Sequence, residues 1–272
     1  MNYELKKPFT AVAYVIIFLC IQTVVMNIVL LGERLLLDRD VAQPDAIGMI
    51  ITMVTFTLLT IGLFAWRKWT PLSRRFILSR PWAVLFWAFI ASIGAIIPSV
   101  YLQELLPEWS DSIQQDIEQT AQMMFEMMNV RGGYAVICLL APIAEEMVFR
   151  GAALRTLLAW KPEHRWLMIT LSALLFALAH LNPAQFIHPL LIGLLLGWMY
   201  ERTRSIVPGI IYHWSNNTVA YLLARIYQDP DVTVTQVFGS LPHVLMAVGF
   251  SLLIFLPALY QLHLRMKQGV EE

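Results

Sequence analysis

The chain has 272 residues, 58% of them hydrophobic and 14% charged, with a mean hydropathy of +0.63. A soluble domain carries about 25% charged residues, so this chain lacks the polar side chains that would cover a globule in water, and a soluble enzyme is excluded. Nineteen basic residues balance nineteen acidic ones, which leaves no charge excess for a nucleic-acid footprint and excludes DNA or RNA as a partner.

A helix needs about 20 mostly apolar residues to cross a hydrocarbon core ~30 Å thick. By that rule the sequence predicts an all-α polytopic membrane protein of about eight transmembrane helices: Phe9–Leu31, Ala46–Trp66, Pro81–Leu102, Gly133–Trp160, Trp166–Leu181, Gln185–Tyr200, Ile206–Tyr227 and Leu241–Gln261. The first follows Lys6 and Lys7, exceeds the apolar length of a signal peptide and lacks a small-residue cleavage site after it, so it reads as a retained anchor. Between the third and fourth, Trp109 to Val130 places Ile113, Ile117, Met124 and Met128 at helical spacing among acids, as in an amphipathic helix at the outer interface. The fifth and sixth are short, and Asn182, Pro183 and Ala184 join them in a tight hairpin. Cys20 and Cys138 lie in apolar runs and read as small hydrophobes, not as a disulfide or a Cys-based zinc site. No internal repeat appears, so residues 1–272 read as a single integral membrane domain.

Charge placement gives an orientation. Arg67, Lys68, Arg74, Arg75 and Arg80 follow the second span without an acid, whereas Glu104, Glu108, Asp111, Asp116 and Glu118 follow the third without a base. Cytoplasmic loops collect Lys and Arg, so both termini are expected in the cytoplasm, with Lys161, Arg165, Arg202, Arg204, Arg265 and Lys267 on the same side.

Several polar side chains fall inside the spans. An ionisable group at mid-helix costs roughly 2.5–3.5 kcal/mol on insertion scales, so Glu145, Glu146 and Arg150 in the fourth span require partners. Glu146 and Arg150 are four apart with the acid first, the favourable order for an ion pair on one face. Glu145 is turned about 100° away and is left for another helix to satisfy. His180 ends the run Phe176-Ala-Leu-Ala-His180, and His213 shares a helix face with Asn217, four residues on. At ~1.5 Å of rise per residue, His213 lies about 11 Å, Asn217 about 17 Å and His180 about 21 Å from the cytoplasmic ends, and Glu145 about 18 Å from the outer end of its span. All four can therefore meet near the middle of the bilayer.

These residues carry a resemblance. Glu145-Glu146-x-x-x-Arg150, then Phe176-x-x-x-His180, then His213-x-x-x-Asn217 is similar to the three signature motifs of the CPBP family, which groups type II CAAX prenyl endopeptidases with bacteriocin-processing and immunity (Abi) proteins. The resemblance implies a catalytic core at residues 133–227, built from the fourth to seventh spans, of an intramembrane endopeptidase. It implies that Glu145 activates a water, that His180 helps to bind and polarise it, and that His213 and Asn217 stabilise the oxyanion, with Glu146 and Arg150 a structural pair. Removing one oxyanion donor typically lowers a rate by about 10² to 10³. No covalent nucleophile is apparent, since Ser215 lacks a GxSxG context. Glu145, His180 and His213 also make a zinc-compatible set, and the family is often called metalloprotease. The helical H-E-x-x-H signature is absent, and the resemblance equally implies a metal-free glutamate mechanism, so metal use stays open.

Plainer readings cover the remaining polar positions. His188, His243 and His263 read as packing histidines and His164 as a loop residue. The sequon Asn216-Asn217-Thr218 falls inside a span, out of reach of glycosylation. Two other functions compete with the endopeptidase: a proton-coupled transporter, disfavoured by the lack of paired broken helices or repeat symmetry, and a bacteriocin immunity or binding protein without catalysis. The expected partners are a peptide or membrane-protein substrate and the bilayer of a bacterial inner membrane; the resemblance implies a C-terminal CAAX-like segment, but bacteriocin-like or pheromone-like peptides or lipoprotein tails are the favoured class, since prenylated CAAX proteins belong to eukaryotes.

Overall fold

The computed structural model describes residues 3–37, 44–71, 74–106, 111–182, 186–229 and 232–266, and among them it contains helices and turns but no strand. In a bilayer only a helix or a closed barrel satisfies every backbone N–H and C=O. The helices are α1 (Tyr3–Leu37), α2 (Ala46–Trp66), α3 (Arg74–Leu78), α4 (Trp82–Glu104), α5 (Asp111–Asn129), α6 (Ala141–Glu146), α7 (Arg155–Trp160), α8 (Arg165–Ala179), α9 (Ile187–Thr203), α10 (Val207–Tyr227), α11 (Val234–Phe238) and α12 (Leu241–Arg265). Two π-helical segments, Ala135–Leu140 and Met147–Leu154, bracket α6, so that residues 135–160 form one composite helix. Glu108, Trp109, Pro183, Ala184 and Lys267, which enter the predicted loops, hairpin and interface helix, lie outside the described residues.

Among the described residues, four helices are long and apolar enough to cross a membrane unaided: Lys7–Leu36, Ala46–Trp66, Trp82–Glu104 and Leu241–Arg265. They turn bulky apolar side chains outward, among them Ile16, Leu59, Phe250 and Leu253. In water such a surface would drive aggregation, and in lipid it costs nothing. The other four predicted spans do not reach that standard, and the reasons are physical. The composite helix carries Glu145, Glu146 and Arg150. Helices α8 and α9, with 15 and 17 residues, extend roughly 22 and 25 Å at 1.5 Å per residue, less than the ~30 Å core. Helix α10 has the length, at 21 residues, but includes His213, Asn216, Asn217 and Arg225.

Two apolar cores organise the bundle. One joins α1, α2, the second π segment and α8 through Phe18, Phe56, Phe64, Phe149 and Phe176. The other joins α4, α9, α10 and α12 through Ala88, Leu196, Met199, Tyr212 and Leu262. Helix α8 closes on α9 at Gly193, where an added Cβ would lie 2.9 Å from the Cβ of Ala173, an approach that small residues permit in membrane bundles. A third, smaller cluster seats α5 through Met124, Met127 and Met128 against Ile137, Cys138 and Tyr221.

Hydrogen bonds show which helix ends lie together. Lys7 Nζ donates to Ala159 O at 2.9 Å, Arg155 to Trp69 O at 2.9 Å and Arg202 to Met266 O at 3.0 Å. The start of α1 and the ends of α2, α7, α9 and α12 therefore share one end of the bundle. At the other end Tyr221 donates to Met128 O at 2.7 Å, and Glu104 accepts from Val234 N–H.

Candidate active site

The two carboxylates stand on α6, between the π segments. π-Helical turns occur disproportionately at functional sites, and here the local sequence explains one consequence. The Ala141 N–H bonds back to Val136 O, five residues earlier, and Pro142, the next residue, has no N–H to give. The carbonyl of Ile137 is thereby left without its usual helical donors. Asn217 Nδ2 on α10 donates to it at 3.1 Å. In the second π segment, Met147 O accepts from Thr70 Oγ1 at 2.5 Å and Phe149 O from Ser172 Oγ at 3.0 Å. Side chains from other elements thus lock the composite helix on both sides of the carboxylates.

Glu146 is fully buried and Arg150 nearly so; Arg150 Nη1 donates to Glu146 Oε1 at 2.7 Å. The same Oε1 lies 3.4 Å from His213 Nδ1. On the other edge of that imidazole, His213 Nε2 lies 3.6 Å from Glu145 Oε2. His213 is therefore lodged between the two carboxylates, one at each ring nitrogen. Glu145, left unpaired by its own helix, meets its partner across the bundle on α10, while remaining about 20% exposed in its side chain. Gly209, one turn before His213, makes room for the pair: a Cβ there would fall 2.6 Å from Glu146 Oε2.

Phe176 holds the second motif against the first and third. The Arg150 guanidinium carbon sits 4.3 Å over its ring centre. Its edges meet the rings of His180 at 4.8 Å and His213 at 5.9 Å, both near perpendicular. His180 caps α8, with Nδ1 2.8 Å from Phe176 O, and the chain then turns away through Leu181 at φ 53°. A left-handed Leu costs on the order of 1–2 kcal/mol, and it ends the helix one residue after the imidazole. An apolar cavity of about 420 Å³ opens beside this turn, lined in part by Ala177, Leu181, Phe186 and Ile187.

The three predicted motifs thus converge from separate helices. Residues 129–219 match the family described as type II CAAX prenyl endopeptidase Rce1-like. That segment resembles an Rce1-like domain. The match takes in the composite helix and α8, α9 and most of α10, hence every motif residue named above. No curated protein and no solved structure matches the chain.

Within the matched segment lie the three candidate metal donors, Glu145, His180 and His213. Zinc sites use at least three protein ligands, and among the described residues no three His, Cys, Asp or Glu side chains are grouped to hold an ion. Glu145 and His213 form a pair, and His180 turns Nδ1 to its own helix.

Three further positions adjoin the motif residues in the structure. His188, read as a packing histidine, lies within electrostatic reach of both His180 and His213. Its Nδ1 is 2.9 Å from Ser99 Oγ, and its Nε2 is 3.4 Å from Asn216 Nδ2. Asn216 is 5% exposed, and in the sequence it stands out only as part of a sequon. Gly209 has no motif to mark it. The only signal for the first two was position: His188 opens the helix after the His180 turn, and Asn216 adjoins a motif residue. Ser215 is 1% exposed and hydrogen-bonded to Ser92 Oγ at 2.5 Å, away from the carboxylates.

Proposed function

We propose that the protein is an intramembrane endopeptidase that cuts a peptide or membrane-protein segment of C-terminal CAAX type by direct attack of water. The observation that carries the reading is the 3.6 Å approach of Glu145 Oε2 to His213 Nε2 inside the segment that matches the Rce1-like family. Glu145 is the partly exposed carboxylate of the two, so it can reach water. It takes the proton while the hydroxide oxygen adds to the scissile carbonyl. His180, at the open end of α8, helps to hold that water. The negative charge on the carbonyl oxygen is met by N–H donors of His213 and Asn217, which act strongly where bulk water is excluded. The tetrahedral intermediate collapses as the leaving amine regains the proton from Glu145. Glu146 and Arg150 neutralise each other and brace His213 from behind. No step requires a metal ion.

Two further features support a lipid-embedded substrate. The apolar cavity beside the His180 turn suits a hydrophobic side chain or lipid tail, and α8 and α9, at 15 and 17 residues, are each shorter than a full membrane crossing. We further propose residues 133–227 as the catalytic core, a bacterial inner membrane as the site of action and cytoplasmic termini, on the clustering of Lys and Arg.

The test compares membrane and secreted peptides by mass spectrometry in cells that express wild type or Glu145→Ala at equal folded levels. New peptide termini found only with wild type are expected. Identical termini in both, with a phenotype that persists in both, would replace the enzyme with a binding or immunity protein.

A further inference from the structure

A chain of hydrogen bonds runs from α4 to Asn217, and its direction can be worked out from what each group is able to donate. Ser99 Oγ lies 2.7 Å from Ala95 O and 3.0 Å from Ile96 O. Both are carbonyls and can only accept, so the single hydroxyl proton is committed to its own helix. The 2.9 Å contact of Ser99 Oγ with His188 Nδ1 must therefore be donated by Nδ1–H. A neutral imidazole then has Nε2 as an acceptor, and Asn216 Nδ2 stands 3.4 Å from it. Asn216 Nδ2 is also 3.4 Å from Asn217 Oδ1. Flipping the Asn216 amide would set its oxygen against two acceptors at once, so its two hydrogens are fixed on this side.

Asn217 is defined from both ends. Its oxygen is occupied by Asn216, and one hydrogen of Nδ2 goes to the Ile137 carbonyl that the π segment and Pro142 leave free. The second Nδ2 hydrogen is the group that remains. A flipped Asn217 would show lone pairs to a developing oxyanion and repel it.

We infer that His188 is a positioning residue: through Asn216 it fixes the Asn217 carboxamide so that an N–H, not an oxygen, faces the reacting carbonyl. His188 is itself tied down, since its backbone N–H donates to Gln103 Oε1 at 3.1 Å. Helix α4, outside the family match, thus takes part in the chemistry through Ser99 and Gln103. The inference rests on the oxyanion role of Asn217 proposed above.

The test has one arm that needs no substrate. The chain holds six asparagines, so ¹⁵N-asparagine labelling in micelles resolves the side-chain amides, with Asn217→Ala assigning the signal. His188→Leu is expected to shift the Asn217 amide pair and speed its hydrogen exchange; His188→Gln, with a donor and an acceptor on one group, restores both. An unmoved Asn217 signal in His188→Leu overturns the inference. The second arm uses an internally quenched, farnesylated CAAX peptide in proteoliposomes. His188→Leu should lower kcat about tenfold with KM nearly unchanged, less than the 10² to 10³ typical of losing a donor outright. In an Asn217→Ala background it should cost nothing more. A full, additive loss in that background overturns positioning, as does an unchanged kcat in the single variant. If wild type cuts no peptide in this assay or in cells, the endopeptidase reading fails, and the amide signals alone decide whether His188 orients Asn217. Should His188→Leu not fold, Ser99→Ala, which removes only the acceptor for Nδ1–H, replaces it with the same readouts.

Discussion

The guanidinium of Arg150 lies 4.3 Å over the face of Phe176 while its Nη1 is bonded to Glu146 at 2.7 Å. One buried cation is thus shared between a carboxylate in its own helix and an aromatic ring from α8. Because Nε and Nη2 of Arg150 have no hydrogen-bond partner among the described residues, the ring supplies much of what replaces water. A desolvated cation–π contact is worth ~2 kcal/mol or more. Phe176→Leu should therefore lower stability by about that amount, and Phe176→Trp should retain it. Denaturant titration in mixed micelles checks both, and a neutral Phe176→Leu would show that the ring merely fills space.

Breaking the ion pair on one side should be worse than removing it. Arg150→Met leaves Glu146 buried without a counter-charge, an expected loss of about 3–5 kcal/mol. Adding Glu146→Gln should recover most of that stability. Equal stability of the single and double variants would mean that Glu146 finds another partner.

Gly209 should not tolerate a methyl group. The Cβ of Gly209→Ala would fall 2.6 Å from Glu146 Oε2 and 3.3 Å from its Cδ, and Arg150 prevents the carboxylate from swinging aside. Overpacking of this kind costs about 1–3 kcal/mol, and cleavage should fall with it as His213 loses its brace. Gly62→Ala, with nothing within 4 Å of the new Cβ, is the control and should be neutral or stabilising by up to ~1 kcal/mol. Matching melting temperatures for the two variants would contradict the close approach.

Pro142→Ala restores an N–H that can bond a carbonyl of the first π segment and compete with Asn217 for Ile137 O. The variant should fold at least as stably as wild type, because a proline is removed from a helix, yet cleave about tenfold more slowly as the proposed oxyanion donor, Asn217, loosens. Thermal melts beside cleavage rates separate the two effects; an unchanged rate would show that Asn217 needs no such anchor.

Ser215→Ala should cleave at the wild-type rate, whereas Glu145→Ala should lose cleavage while remaining folded. Ser215 Oγ is buried and accepts a hydrogen bond from Ser92 Oγ, and no GxSxG context surrounds it. Loss of activity in Ser215→Ala, with trapping by a serine-directed fluorophosphonate, would instead favour an acyl-enzyme route.

Much of this was legible in the chain itself. Low charge and long apolar runs dictate a helical membrane protein, because only helices satisfy the backbone in lipid without partners. The spacings Glu146 to Arg150 and His213 to Asn217 define shared helix faces whatever the tertiary fold, and an uncompensated carboxylate in an apolar run announces that another helix must meet it. The span count was less legible, since the residues that build the site make their own helices shorter and more polar than a spanning helix should be.

What the sequence could not settle is which atoms face each other. Periodicity places Glu145 and Glu146 about 100° apart but cannot say that one imidazole lies between them. The lodging of His213 depends on the packing of α10 against α6, on the space left at Gly209 and on the ring of Phe176. The π register that frees the Ile137 carbonyl, and the hydrogen-bond chain from Ser99 through His188 to Asn217, depend on contacts between residues far apart in the chain. Local propensity fixes which side chains share a face; only close packing of distant helices fixes the distances and directions on which chemistry depends.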